Sequence, residues 1–177
     1  MSAQDQPSFP RLRPGSELGP PWAWPRVGEL REMTISSQLL RGNPLGDPAE
    51  RPVWIYLPPA YQQSPRDRFP VIYVLQGMTG QIDMWRNRSP FRKTALELYD
   101  ELFADPSVPP AILVFVDCWT RLGGSQFLDS AGTGNYHSYL CEEVVPAVDA
   151  EFRTLADRAH RGVAGKSSGG FGAMVTP

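Results

Sequence analysis

The segment Arg161-Gly162-Val163-Ala164-Gly165-Lys166-Ser167-Ser168-Gly169-Gly170 carries the strongest signal in the chain. Its first half, Gly162 to Gly165, is short and apolar and reads as a small central strand. Its second half runs into Phe171-Gly172-Ala173-Met174, small residues that open a closely packed helix. Between them Gly165-Lys166-Ser167-Ser168-Gly169 matches G-x-S-x-G. A serine on a sharp strand-to-helix turn has a strained backbone and needs small neighbours two residues to either side. Such a turn lifts the hydroxyl out of the sheet. It also aims the next backbone N–H, that of Ser168, at an oxyanion beside the positive end of the helix. The plain alternative is a structural turn, and in a chain with 16 glycines the bare pattern is weak. The strand before and the small-residue helix after raise it. Gly165-Lys166-Ser167 is not a phosphate-binding loop, because the glycine that motif requires five residues earlier is His160.

Upstream, Val71-Ile72-Tyr73-Val74-Leu75 and Ala111-Ile112-Leu113-Val114-Phe115-Val116 are continuous apolar runs, as in strands buried on both faces. Glu32 to Ser37 and Pro52 to Leu57 read as two further strands around the turn-rich 41–48. Helices are expected over Phe91 to Phe103 and Tyr139 to Phe152, with Pro146 either kinking the second or marking its last turns, and loop over Gly123 to Asn135. Hairpin-like strands followed by strand, helix, strand, helix, strand predict an α/β sheet. Ligands in such sheets bind at the carboxyl ends of strands. Three loops qualify, those after Leu75, Val116 and Lys166. Residues 1–30, with Pro7, Pro10, Pro14, Pro20, Pro21 and Pro25, read as a poorly ordered lead-in from which Trp22 and Trp24 tuck onto the domain. Residues 31–177 then form the domain.

The 177 residues suffice for one core. A net charge of -2, from 17 basic and 19 acidic residues, gives no nucleic-acid footprint. No run is apolar enough for a membrane span, and Met1 to Gln6 contain no apolar leader. Cys118 and Cys141 lie in apolar stretches and read as reduced, packed thiols, with the cytoplasm as the expected location.

Acyl transfer needs a second oxyanion donor. The glycine-bracketed loop Gln76-Gly77-Met78-Thr79-Gly80 offers the Met78 N–H, although Gly77 and Gly80 also serve simply to turn the chain. At this point the chain resembles the esterase family of α/β-hydrolases that includes S-formylglutathione hydrolases, enterochelin esterases and mycolyltransferases. The resemblance covers Glu32 to Pro177. It rests on Leu75 to Gly80, on Tyr139-Leu140-Cys141-Glu142-Glu143-Val144-Val145-Pro146-Ala147-Val148-Asp149, and on Arg161 to Gly170. It implies an α/β-hydrolase fold, incomplete and present through the nucleophile elbow. It also implies a serine esterase acting on a small-molecule carboxylic ester or thioester, with Ser167 as nucleophile and the amides of Met78 and Ser168 as oxyanion hole. Gly77 and Ser125, the latter in the loop after Val116, are candidate substrate-binding residues, although a polar surface loop accounts for Ser125 equally well. Many relatives have His-Gly where this chain has Gln76-Gly77. The donor being a backbone amide, that exchange leaves the chemistry open.

In this fold the acid and the histidine follow the serine. Ser168 to Pro177 contain neither, and His137 and His160 both precede Ser167. A serine without its base is a poor nucleophile, so the chain alone is expected to be nearly inactive, as a fragment of a longer esterase. The competing readings are a noncatalytic relic or binding module and an acyltransferase on the same fold. No cofactor is required, and no Cys-His spacing fits a metal.

Overall fold

The computed structural model describes residues 25–176; residues 1–24, including Trp22 and Trp24, and Pro177 lie outside the described residues. In chain order the elements are β1 (Glu29–Ser36), β2 (Glu50–Leu57), α1 (Pro59–Gln63), β3 (Val71–Leu75), α2 (Ala95–Ala104) and β4 (Ile112–Val116). They are followed by β5 (Asp129–Ser130), β6 (Gly134–Asn135), α3 (Tyr136–Ser138), α4 (Val145–Glu151), β7 (Arg161–Gly165) and α5 (Ser168–Val175). Five strands form one sheet in the order β1-β2-β4-β3-β7. β2 is antiparallel to β1 and β4, whereas β3 runs parallel to β4 and β7. Leu75 is thereby paired with Val116 on one side and Gly165 on the other. This is the α/β-hydrolase sheet through the elbow strand, and the three loops singled out above leave it at one edge.

Side-chain alternation along the strands splits the core into two layers. Val53, Ile55, Leu57, Val71, Tyr73, Leu75 and Val114 face the helical stretch 136–151 and meet Tyr136, Tyr139, Leu140, Val144 and Val148. Trp54, Tyr56, Val74, Leu113 and Phe115 face the other way, onto Ile82 and Leu96. β4 is buried along its whole length, the condition its unbroken apolar run implies.

Several boundaries differ from expectation. α2 begins at Ala95, not Phe91, because Thr94 and Glu97 form a capping box. The Glu97 N–H donates to the Thr94 hydroxyl at 3.2 Å, and the Thr94 N–H donates to the Glu97 carboxylate at 2.7 Å. Phe91, which fits the helical spacing, stands fully exposed on the preceding loop. The helix expected from Tyr139 begins at Tyr136, and its Tyr139–Val144 section is π-wound, leading into α4 with Pro146 in the first turn. Proline cannot donate an i→i−4 bond and crowds the carbonyl four residues back. The wider turn relieves that conflict where a kink or the last turns of the helix were expected. The 123–135 loop contains the small β5–β6 hairpin. β1 starts at Glu29, inside the predicted lead-in, where the Val27 and Gly28 N–H groups donate to the Asp100 carboxylate at 3.0 and 2.8 Å.

Candidate active site

β7 ends at Gly165, and two residues later Ser167 adopts φ 57° and ψ −120°. This is a left-handed conformation that costs a residue with a side chain on the order of 1–3 kcal/mol. The glycines around it are there for space. A Cβ on Gly165 would lie 2.3 Å from the carbonyl carbon and oxygen of Gly169, and a Cβ on Gly169 would lie 2.2 Å from the Leu75 carbonyl oxygen. The elbow is therefore pressed onto the end of β3, which is the steric demand the sequence pattern encodes. The Gly169 N–H donates to the Lys166 carbonyl at 2.9 Å and the Phe171 N–H to the Ser167 carbonyl at 3.1 Å, closing the turn into α5.

The loop after β3 lies against this turn. A Cβ on Gly77 would come 3.2 Å from the Lys166 carbonyl and 3.4 Å from the Ser167 Cβ. Beyond it, the Thr79 N–H donates to the Gly123 carbonyl at 2.7 Å and the Gly80 N–H to the Gly77 carbonyl at 3.0 Å. Among the described residues, neither the Met78 N–H nor the Ser168 N–H donates to a protein acceptor. Gly77 is thus brought against Lys166 and Ser167, with Met78 and Ser168 the next residue in each loop.

The third loop, after β4, is tied to the second. Thr120 is fully buried; its hydroxyl accepts from the N–H groups of Leu122 and Gly124, each at 3.2 Å, and donates to the Gly124 carbonyl at 3.1 Å. Ser125 is buried as well, with its hydroxyl accepting from the Phe127 N–H at 3.2 Å, so it is engaged inside the loop. Gln126 and Phe127 both adopt φ 58°. Phe127 is driven into the core, where a Cβ on Gly172 would lie 2.6 Å from its ring. Gln126 stays exposed, and its Nε2 donates to the Met78 sulfur at 3.4 Å. Sequence reasoning passed over Gln126, since nothing in Gly123-Gly124-Ser125-Gln126 distinguishes it from an ordinary polar loop.

Beneath these loops is a buried charged pair. Arg51 on β2 donates to Asp117 at 2.9 Å, to the Trp119 carbonyl at 3.0 Å and to the Tyr136 hydroxyl at 2.5 Å. Burial raises the Asp117 pKa above the usual carboxylate range, against the pull of Arg51 and of the N–H groups of Trp119 and Ile82. Burial likewise pushes the Tyr136 hydroxyl up to about 12.

His160 lies at the start of β7, the end opposite Ser167, with its Nδ1 2.8 Å from Asp157. His137 is on α3, with Nε2 3.9 Å from the Cys141 sulfur. Neither hydrogen-bonds Ser167. Cys118 and Cys141 are free thiols. Among the described residues, no group of three His, Cys, Asp or Glu side chains is placed to hold a metal ion, and no helix is long and apolar enough to cross a membrane. A hollow lined by Tyr73, Leu140, Cys141, Val163 and Ala173 lies under α5; Ser167, Met78 and Gln126 take no part in it.

Comparison with known proteins fits this geometry. The chain is 29% identical over 120 residues to an endo-1,4-beta-xylanase/feruloyl esterase of Xylanibacter ruminicola, covering 66% of this chain and 16% of that protein. A solved ferulic acid esterase superposes with a TM-score of 0.68 at 25% identity, over 84% of this chain and 54% of that one. An S-formylglutathione hydrolase from Agrobacterium tumefaciens shares the fold with a TM-score of 0.61 at 20% identity, over 86% and 53%. The chain thus spans about half the length of these solved structures. The family model described as "Putative esterase" matches residues 48–177. That span takes in the elbow, the loop that rests on it and the loop that braces the second, and the chain belongs to this esterase family.

Proposed function

We propose that Ser167 is the nucleophile of a carboxylic ester hydrolase. The observation that carries this is the left-handed Ser167 on a turn that admits only glycine two residues to either side, with Gly77 so near that a Cβ on it would come 3.4 Å from the Ser167 Cβ. Strain of this kind persists only where the surroundings impose it, and it places a hydroxyl outside the sheet. The Ser167 oxygen attacks the ester carbonyl, and the carbonyl oxygen, now negative, accepts hydrogen bonds from the Met78 and Ser168 N–H groups. The alcohol departs with a proton, leaving an acyl-Ser167 that water hydrolyses.

The serine proton needs an acceptor, and neither histidine of this chain hydrogen-bonds Ser167. A histidine and an acid from beyond these 177 residues would supply that role. The chain alone then turns over esters at a small fraction of the rate of a complete site, since losing a triad member costs several orders of magnitude. The relatives named as feruloyl esterases make feruloyl esters the first substrates to try, ahead of thioesters. Free Cys118 and Cys141 suit a reducing compartment, and the cytoplasm is the proposed location.

The test is a fluorophosphonate probe applied to the full-length protein. Covalent labelling mapped to Ser167 and abolished by Ser167→Ala is the expected result. Absence of labelling, or labelling that survives Ser167→Ala, overturns the proposal. Hydrolysis of a feruloyl methyl ester, followed by release of the free acid, reads the substrate class separately.

A further inference from the structure

Gln76 is a polar side chain buried at the end of β3, immediately before the Gly77-Met78 loop, and the reaction just described leaves it without a task. Its amide meets three backbone groups at the exit of β4. Nε2 donates to the Val116 carbonyl at 2.6 Å, and Oε1 accepts from the N–H groups of Cys118 and Trp119 at 3.0 and 3.3 Å. These partners dictate which way the amide is turned. They also lie where the ladder between β3 and β4 stops, at the pair Leu75 and Val116. On its other side the Gln76 main chain touches the elbow: a Cβ on Gly169 would come 2.7 Å from the Gln76 carbonyl oxygen. One residue therefore bears on the β4 exit through its side chain and on the nucleophile turn through its backbone.

We infer that Gln76 is the positioning residue of the oxyanion loop, setting where the Met78 N–H sits relative to Ser167; the inference rests on the acyl-serine reading above. The loop is anchored on both sides of the donor. Gln76 holds it before Gly77, and the Thr79 N–H to the Gly123 carbonyl holds it after Met78. The surface that Gln76 grips is itself fixed from the far side, because Arg51 bonds Asp117 and the Trp119 carbonyl. The 117–119 turn is thus clamped between a guanidinium and a carboxamide, and Gln76 transmits that rigidity to the peptide carrying the donor. An oxyanion donor works only within a few tenths of an ångström of its target, and a misplacement of about 1 Å costs about 100-fold in rate. A side chain that supplies both one donor and one double acceptor, without titrating, meets all three groups at every pH.

The experiment uses the full-length protein with Gln76→Met and Gln76→Glu, reading kcat and KM for ester hydrolysis, fluorophosphonate labelling rate and thermal melting. Methionine keeps the length of the side chain and removes every bond. The expected result is a kcat lower by about 10- to 100-fold with KM changed less than about threefold. Glutamate is the sharper probe. Protonated, it has one donor for Val116 and an acceptor for Cys118 and Trp119, as Gln76 does. Ionised, it has no donor and places a carboxylate against the Val116 carbonyl. The charged groups at the 117–119 turn it grips are the paired Arg51 and Asp117. Burial favours its neutral form, so the ratio of variant to wild-type kcat is expected to be highest near pH 5.5 and to fall at least about tenfold by pH 8.

A Gln76→Met protein that melts like the wild type and keeps its kcat overturns the inference. So does a Gln76→Glu ratio that stays flat with pH, and this second variant decides the matter even where the first does not fold. A wild-type protein that the fluorophosphonate fails to label points elsewhere, to the acyl-serine reading itself.

Discussion

Among the described residues three places beside the site hold non-glycine residues at positive φ, Thr79, the pair Gln126 and Phe127, and Ser167, and the last two places hold them by opposite means. At the elbow, Ser167 is confined by bare backbone. Gly165, Gly169 and the end of β3 meet so closely that no Cβ fits between them. At 120–128, the pair Gln126 and Phe127 is held by hydrogen bonds and an anchor: the buried Thr120 hydroxyl, the Ser125 hydroxyl on the Phe127 N–H, and the Phe127 ring seated against α5. The first device tolerates no substitution at its walls but leaves the strained side chain free. The second spreads the constraint over several polar groups, each of which can be removed singly. Under the proposed function Ser167 must be fixed to a fraction of an ångström, whereas the 120–128 loop has only to present a face, and the two constructions match those demands.

The largest expected effect breaks the first device. Gly169→Ala forces backbone to move at the Leu75 carbonyl and should destabilise the full-length protein by about 3 kcal/mol, read as a lowered denaturation midpoint at constant slope. A variant with wild-type stability would mean the elbow has slack that the geometry denies. Thr120→Val attacks the second device by leaving the Leu122 and Gly124 N–H groups without their acceptor. A loss of about 2 kcal/mol is expected, with Ser167 labelling largely kept, since the elbow does not depend on Thr120. The smallest effects sharpen the comparison from the other direction. Ser167→Gly and Gln126→Gly each relieve a left-handed side chain and should each raise stability by about 1 kcal/mol. The first abolishes labelling and the second keeps it. If either glycine variant is less stable than its parent, the strain assigned to that position is not there.

What was legible in the sequence follows the same division. The elbow could be read because its constraint is local: glycine two residues to either side of a serine is a spacing rule, and the strand and helix around it announce themselves by composition. β3 and β4 were legible because strands buried on both faces show as unbroken apolar runs. The second device was not legible, since Thr120, Ser125 and Phe127 act through contacts that only the folded chain assembles. Gln76 was visible as a departure from a familiar His-Gly, but its partners on the β4 exit lie far along the chain and could not be inferred. The start of α2 was misplaced because Phe91 satisfies helical spacing, while the deciding signal, Thr94-Ala95-Leu96-Glu97, is a capping box whose meaning depends on which residue begins the helix. Pro146 signalled an irregularity in the helix before β7, although not that a π turn would absorb it.

The strand order has a temporal side. β1 and β2 are neighbours both in sequence and in the sheet, so that hairpin closes a short loop. β7, in contrast, must find β3 across most of the domain. Non-local pairing of this kind is slow, and a growing polypeptide offers its early segments first. During synthesis the Gly77-Met78 loop is therefore made long before the turn it rests on, and the strained serine is formed only when one of the last strands described here docks. The left-handed turn at Ser167 is thus assembled only after β7 has found β3, and a chain that has not yet made that pairing does not present it.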